Sequence, residues 1–260
     1  MSLASRAVYP SQPAPLRTQL DGLLADAPAS DIPADAIVGL IVPDSNRTSG
    51  GPAAAAAYSL LAGATISTAL VVSPSHHGAF GRLSICQTDA YQTPLGDVRV
   101  NDHLRNELCD EDDDIFLDDT GHYHTEGADV QLPFLQRVLG DAFDTVPIVM
   151  GDESPSYCFE LGRAVGEIMY GQRAIVVGSC DVITGDADAL DALRAAVEAM
   201  DAHAVLRLMA DEAVQVEGIG AVATALIAAK ERGATAARVL MLDAPGDGTP
   251  GTLAAVFWKG

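Results

Sequence analysis

Leu70-Val71-Val72-Ser73-Pro74-Ser75-His76-His77-Gly78 is the stretch on which the reading of this chain turns. Its apolar run stops abruptly at Ser73-Pro74-Ser75, and two adjacent histidines follow. A short apolar run bounded by turn formers predicts a buried strand. In open α/β sheets, ligands gather just beyond the carboxyl ends of such strands, which is where His76 and His77 stand. Imidazole is the commonest metal ligand and the side chain best suited to proton transfer near neutrality. A histidine pair after a strand can also do no more than close a turn, so its meaning depends on what else the chain brings to the same edge.

Working outward, Ile37 to Val42 is a second uninterrupted apolar run, of the kind buried on both faces of a parallel sheet. It stops at Pro43, and Asp44 follows. Ser49-Gly50-Gly51-Pro52 leads into an Ala-rich helix that runs back toward Leu70, completing a strand–helix–strand unit. No charged side chain occurs from Thr48 to Gly81. Glycines, Ser73 and Pro74 break that segment, so it reads as a buried helix and a strand, not a membrane span. Before this unit, Leu16, Leu20, Leu23 and Leu24 mark a first helix.

Beyond it, Gly81 to Thr93 predicts a strand pair, Asn101 to Cys109 a helix, and Asp110 to Asp119 a solvated acidic loop without the glycine of a calcium loop. Val130, Phe134, Leu135 and Val138 mark a helix, residues 146–150 a strand and residues 156–170 another helix. Ala174 to Val177 is a strand ending in Gly178-Ser179-Cys180-Asp181. The segment from Asp186 to Arg232 reads as helical throughout, three helices with a break at Gly218 and Gly220. Arg238–Leu242 and Leu253–Trp258 close the chain. The expected fold is a single α/β domain over residues 1–260, with a mainly parallel or mixed central sheet flanked by helices.

Composition narrows the function. The 260 residues are 48% hydrophobic, enough for a sizeable core, and 36 acidic against 15 basic residues leave a formal net charge of -21. Lys230 and Lys259 are the only lysines, so neither nucleic acid nor an anionic membrane is an expected partner. Cys86, Cys109, Cys158 and Cys180 are widely spaced, without C-x-x-C, and read as free thiols of a cytoplasmic protein. No basic segment with an apolar stretch behind it opens the chain as a signal peptide does. Nucleophile-elbow, Walker and dinucleotide motifs are all missing.

Three predicted strand ends therefore carry polar side chains: Asp44, the His76-His77 pair, and Asp181. Glu217 stands at the predicted helix break, and His122, His124 and Glu126 in a loop. Carboxylate and imidazole converging on one cleft make a nitrogen–oxygen metal site of the non-heme iron, manganese or zinc kind. Taken singly, Asp44 and Asp181 also suit helix N-capping.

Several blocks resemble the Memo family, whose members have the fold of class III extradiol ring-cleaving dioxygenases. They are Tyr9-Pro10, Val42-Pro43 with Ser49-Gly50, Pro74-Ser75-His76-His77, and Tyr91-x-Thr93-Pro94-Leu95-Gly96. Val130-Gln131-Leu132-Pro133-Phe134-Leu135, Val146-Pro147-Ile148-Val149-x-Gly151 and Ser179-x-Asp181 continue the resemblance in order along nearly the whole chain. The resemblance implies metal ligands at Asp44, His76 and Glu217, with His77, His122 and Asp181 as the groups that handle protons. The family's pattern is altered here: Asp44 and Thr184 stand where it has histidines, and Glu217 where it has a cysteine. One imidazole and two carboxylates favour harder cations over Cu⁺.

Two functions follow as expectations. One is a metal-dependent oxidoreductase or hydrolase acting on a small polar substrate, with Fe, Mn, Mg or Zn as cofactor. The other is a non-catalytic scaffold without a metal, binding a small molecule, a peptide or a partner protein. The sequence leaves the oligomeric state open.

Overall fold

The computed structural model describes residues 9–45, 50–111 (backbone only at 110 and 111), 115–122 and 126–260. Predicted features at Ser49, Asp112–Asp114, His124 and Thr125 lie outside these residues. The chain runs through helix α1 (Pro13–Ala25), strand β1 (Ile37–Pro43), helix α2 (Gly50–Tyr58) and strand β2 (Thr68–Pro74). An excursion follows: β3 (Leu83–Ile85), β4 (Ala90–Tyr91), β5 (Val98–Arg99), α3 (Asp102–Glu111) and β6 (Ile115–Leu117). Next come α4 (Ala128–Leu139), β7 (Asp144–Met150), α5 (Pro155–Ile168) and β8 (Ala174–Gly185). The last third comprises α6 (Ala187–Glu198), α7 (Ala202–Ala210), β9 (Val214–Glu217), α8 (Ile219–Glu231), β10 (Ala236–Asp243) and β11 (Thr252–Trp258).

The main sheet has the order β10-β11-β1-β8-β2-β7-β3-β6, with β9 paired to β8. Its four middle strands, β1, β8, β2 and β7, are mutually parallel. The β11 and β3 strands flank them antiparallel, so the sheet is mixed, as the sequence allowed. Every residue of β1 and β2 is buried, which explains why both read as unbroken apolar runs.

Side-chain alternation along the strands divides the core into two layers. Leu70 and Val72 of β2 face the layer that includes α5 and α8, while Ala69 and Val71 face the layer of α1, α2 and α4. Full burial of each such Leu or Val is worth roughly 1.5–3 kcal/mol. Small residues set the spacing between layers. The five alanines of α2 are buried, and α5 meets α8 where a Cβ on Gly162 would sit 2.7 Å from Ile227 Cβ.

Four expectations need correction. The predicted strand 174–177 continues to Gly185, because Val182 pairs with Val216 of β9 and both are buried. Asp181 therefore lies within β8 instead of following it. The stretch read as wholly helical contains β9, whose residues alternate buried Val214 and Val216 with exposed Gln215 and Glu217. Four residues between two helices carry too little period-two signal to stand out. Finally, the predicted strand pair in 81–93 separates: β3 joins the main sheet against β7, whereas β4 pairs with β5. The acidic segment likewise contributes β6, parallel to β3.

Gly178 of β8 shows how tightly helix and sheet approach. A Cβ there would sit 2.4 Å from the Ala221 carbonyl oxygen and 3.0 Å from Ala225 Cβ of α8. Gly178→Val is expected to lower the urea midpoint by an amount equal to about 1–3 kcal/mol of overpacking. Gly22→Ala, in open space on α1, should hold or raise it. Equal midpoints for Gly178→Val and wild type would refute this packing.

Candidate metal site

The site is built where the parallel strands end. The β8 strand lies between β1 and β2, with Val42 opposite Ser179 and Gly178 opposite Val72. Asp44 follows β1 directly and is wholly buried, its amide continuing the ladder to the Cys180 carbonyl at 3.0 Å. Gln131 of α4 holds this corner from below, donating to the Pro43 carbonyl at 2.9 Å while accepting from the Tyr58 hydroxyl at 3.0 Å.

A buried carboxylate needs partners, and Asp44 has them on both oxygens. The Ser179 hydroxyl donates to Oδ1 at 2.5 Å, and His76 Nε2 meets Oδ2 at 2.5 Å. His76 sits two residues beyond β2, and its other ring nitrogen, Nδ1, lies 3.4 Å from Glu217 Oε1. Glu217 ends β9 opposite Asp181 and is 44% exposed at its side chain.

Burial acts against a charge on His76, yet the hydrogen bonds and charges of Asp44 and Glu217 outweigh it and raise the pKa from 6.5 to about 10. The imidazolium therefore compensates Asp44 at neutral pH. Asp181 responds differently. Its Oδ1 accepts from the Asp44 and Ser45 amides, but burial, with the charge of Asp44 adding, lifts its pKa to about 7. Glu153, after β7, is also raised by burial, with Asp44 and Glu217 adding, while the Gly220 amide it accepts from at 2.7 Å opposes the shift.

Glu126 completes a ligand set. One ligand atom each from Asp44, His76 and Glu126 lies within 4.8 Å of the others, close enough for a single ion. Glu126 reaches this place because Gly127, at φ 70°, starts α4 hard against β2. A Cβ on Gly127 would lie 2.7 Å from Ser73 Oγ, so only glycine tolerates both the backbone angle and the contact. An imidazole nitrogen with two carboxylates fits Mn²⁺, Fe²⁺, Mg²⁺ or Zn²⁺ by donor chemistry.

Of the residues predicted from sequence, Asp44, His76, Asp181 and Glu217 come together. Glu217 lies on the Nδ1 side of His76, away from the nitrogen that meets Asp44. That is the position of a carboxylate that orients a metal-binding imidazole. His77 is exposed, its amide bonded to Ser75 Oγ at 3.3 Å. His122 is buried elsewhere, with Nε2 3.2 Å from the Ser84 carbonyl, and desolvation lowers its pKa to about 4. Neither belongs to the cluster of Asp44, His76 and Glu126. Glu126 and Ser179 were in view in the sequence without a role. For Glu126 the local sequence offers only a glycine beside it at the start of a helix, which does not by itself mark a ligand.

The His76–Asp44 pair makes stability depend on pH. Because the folded pKa lies above the unfolded value, the stabilisation is complete below pH 6.5 and is lost as pH rises toward about 10. In chelator-treated protein, wild type should exceed His76→Gln by about 3 kcal/mol at pH 6, and the gap should narrow steadily to pH 10. An Asp44→Asn change should lower the imidazole pKa, read by nitrogen NMR of the ring. A gap independent of pH would contradict the pairing.

Comparison with known proteins places the chain in a family. A family model described as Memo-like protein matches residues 2–258. The MEMO1 family protein of Ignicoccus hospitalis is 33% identical over 232 residues, spanning 85% of this chain and 80% of the relative. Its counterpart in Methanopyrus kandleri is 27% identical over 257 residues, spanning 92% and 89%. The crystal structure of an uncharacterized protein from Escherichia coli K12 superposes with a TM-score of 0.58 at 12% identity, over 86% of this chain and 100% of that one, a likeness of fold alone. With the family match extending over nearly its whole length, the chain belongs to the Memo-like protein family.

Proposed function

We propose that this protein is a divalent-metal-dependent enzyme, an oxidoreductase or hydrolase acting on a small molecule, with Asp44, His76 and Glu126 as metal ligands. The convergence of those three side chains at the carboxyl edge of the parallel strands carries the reading. A cation held there supplies Lewis-acid polarisation of a coordinated oxygen. His76 offers Nε2 once its proton has left, and Glu217 keeps the ring oriented through Nδ1. Ser179 fixes the Asp44 carboxylate. Asp181, poised near neutrality, accepts or returns a proton beside Asp44.

One observation favours a second reading, a binding scaffold without a metal. Ser179 and His76 already satisfy both oxygens of Asp44, and Thr184, where the family has a histidine, cannot take a proton. Metal affinity separates the two readings. At a free metal concentration a hundred times its dissociation constant, binding to the native state adds about 2.7 kcal/mol. For a chain of this size that corresponds to roughly 5–10 °C in Tm. Melts with Mn²⁺, Fe²⁺, Mg²⁺ and Zn²⁺ should show such a shift with at least one ion. His76→Ala should abolish it and Glu126→Gln should weaken it, with Glu217→Gln having the smaller effect. No shift with any ion would leave the scaffold reading in possession of the field.

A further inference from the structure

A second feature adjoins the ligand cluster. A cleft of about 650 Å³ opens beside Glu217, its walls formed mainly by Met150, Leu206, Met209, Val216 and Ile219. That volume lies within the range of small-molecule sites. Ser75 and Val216 line it, and they immediately precede His76 and Glu217, so the cleft adjoins the His76 end of the proposed site. Among the described residues its only charged liners are Asp152 and Glu153, and no lysine, arginine or histidine lines it.

Glu153 is held in an uncommon way. Its side chain lies flat across the start of α8, where a Cβ on Gly220 would come within 2.8 Å of Glu153 Cγ and 3.0 Å of Met150 Cε. The Gly220 amide donates to Oε2 at 2.7 Å, which fixes the carboxylate at the cleft wall. Among the described residues no cation pairs with it. An apolar cleft walled by Asp152 and by Glu153, whose carboxylate is fixed by an amide with no cation beside it, and close to Glu217 and Asp44, repels anions. A neutral hydroxyl can donate to Glu153, but a charged donor makes the stronger bond. An apolar body carrying a positive head satisfies both walls.

We infer that the cleft takes a small organic cation, an alkyl- or arylammonium, with its apolar body against Met150, Leu206, Met209 and Ile219 and its head on Glu153. In taking the cleft as the approach to the metal ligands, this names the substrate class of the proposed enzyme and rests on that reading. Glu153 is then a specificity-determining residue.

Calorimetric titration of the full chain, with Mn²⁺ present, tests the inference using hexylammonium, hexanol and hexanoate as matched probes. Hexylammonium should bind more tightly than hexanol, and hexanoate should not bind. Glu153→Gln should weaken hexylammonium about tenfold, the loss expected when a charged hydrogen bond becomes a neutral one. It should leave hexanol and the Mn²⁺ melting shift unchanged. Ala210→Trp, at the cleft wall, should block hexylammonium and hexanol while sparing the Mn²⁺ shift. Hexanoate binding as well as hexylammonium, an unaffected Glu153→Gln, or no binding by any probe would overturn the inference. If the ammonium preference holds while no metal shifts the melt, the cleft assignment stands and the metal reading fails. A metal shift without ammonium preference gives the reverse.

Discussion

A buried carboxylate that must be compensated organises this end of the molecule. Asp44 has no exposure to solvent, and an isolated charge there would be strongly disfavoured. Its neighbours answer that need: a serine hydroxyl from β8 and an imidazolium from just beyond β2, while Gln131 of α4 fixes the corner by donating to the Pro43 carbonyl. Each partner arrives on a different strand or helix, so the pairing depends on the parallel core being assembled in register. The same requirement explains why an acidic cluster is tolerable at all, since the cation compensating it at neutral pH is the raised-pKa His76.

The arrangement also gives the site two ways to balance its charge. Without a metal, the proton on His76 neutralises Asp44. A divalent cation held by Asp44, His76 and Glu126 would take the place of that proton, so metal binding would be coupled to proton release. Two carboxylates outside the ligand set, Glu217 and Asp181, flank it at different depths. Glu217 meets the imidazole Nδ1 from the solvent side, while the buried Asp181 accepts from the Asp44 amide and has its pKa raised to about 7 by burial.

Much of this was legible in the sequence, and the rest was hidden for physical reasons. The β1 and β2 strands read clearly because both of their faces are buried, which makes the apolar run continuous and its polar end abrupt. Asp44 and His76 could be placed at one sheet edge on that ground alone. Strand β9 was hidden because four residues flanked by helices hold only two buried positions, Val214 and Val216. Asp181 was expected after its strand and lies within it, because β9 lends β8 a partner beyond Gly178. Glu126 could not be recognised as a ligand, since its approach depends on Gly127 meeting Ser73 across 53 residues of intervening chain, a contact that local patterning does not encode. His77, beside His76 in sequence, points elsewhere because neighbours on a turn do not share a direction.

The central claim, that Asp44, His76 and Glu126 hold one divalent cation, is tested most directly by X-ray absorption on zinc-loaded protein. The account predicts a first shell of nitrogen and oxygen at about 2.0–2.2 Å with the outer-shell signature of one imidazole, lost in His76→Ala. A sulfur shell at about 2.3 Å, or an imidazole signature that survives in His76→Ala, would contradict it.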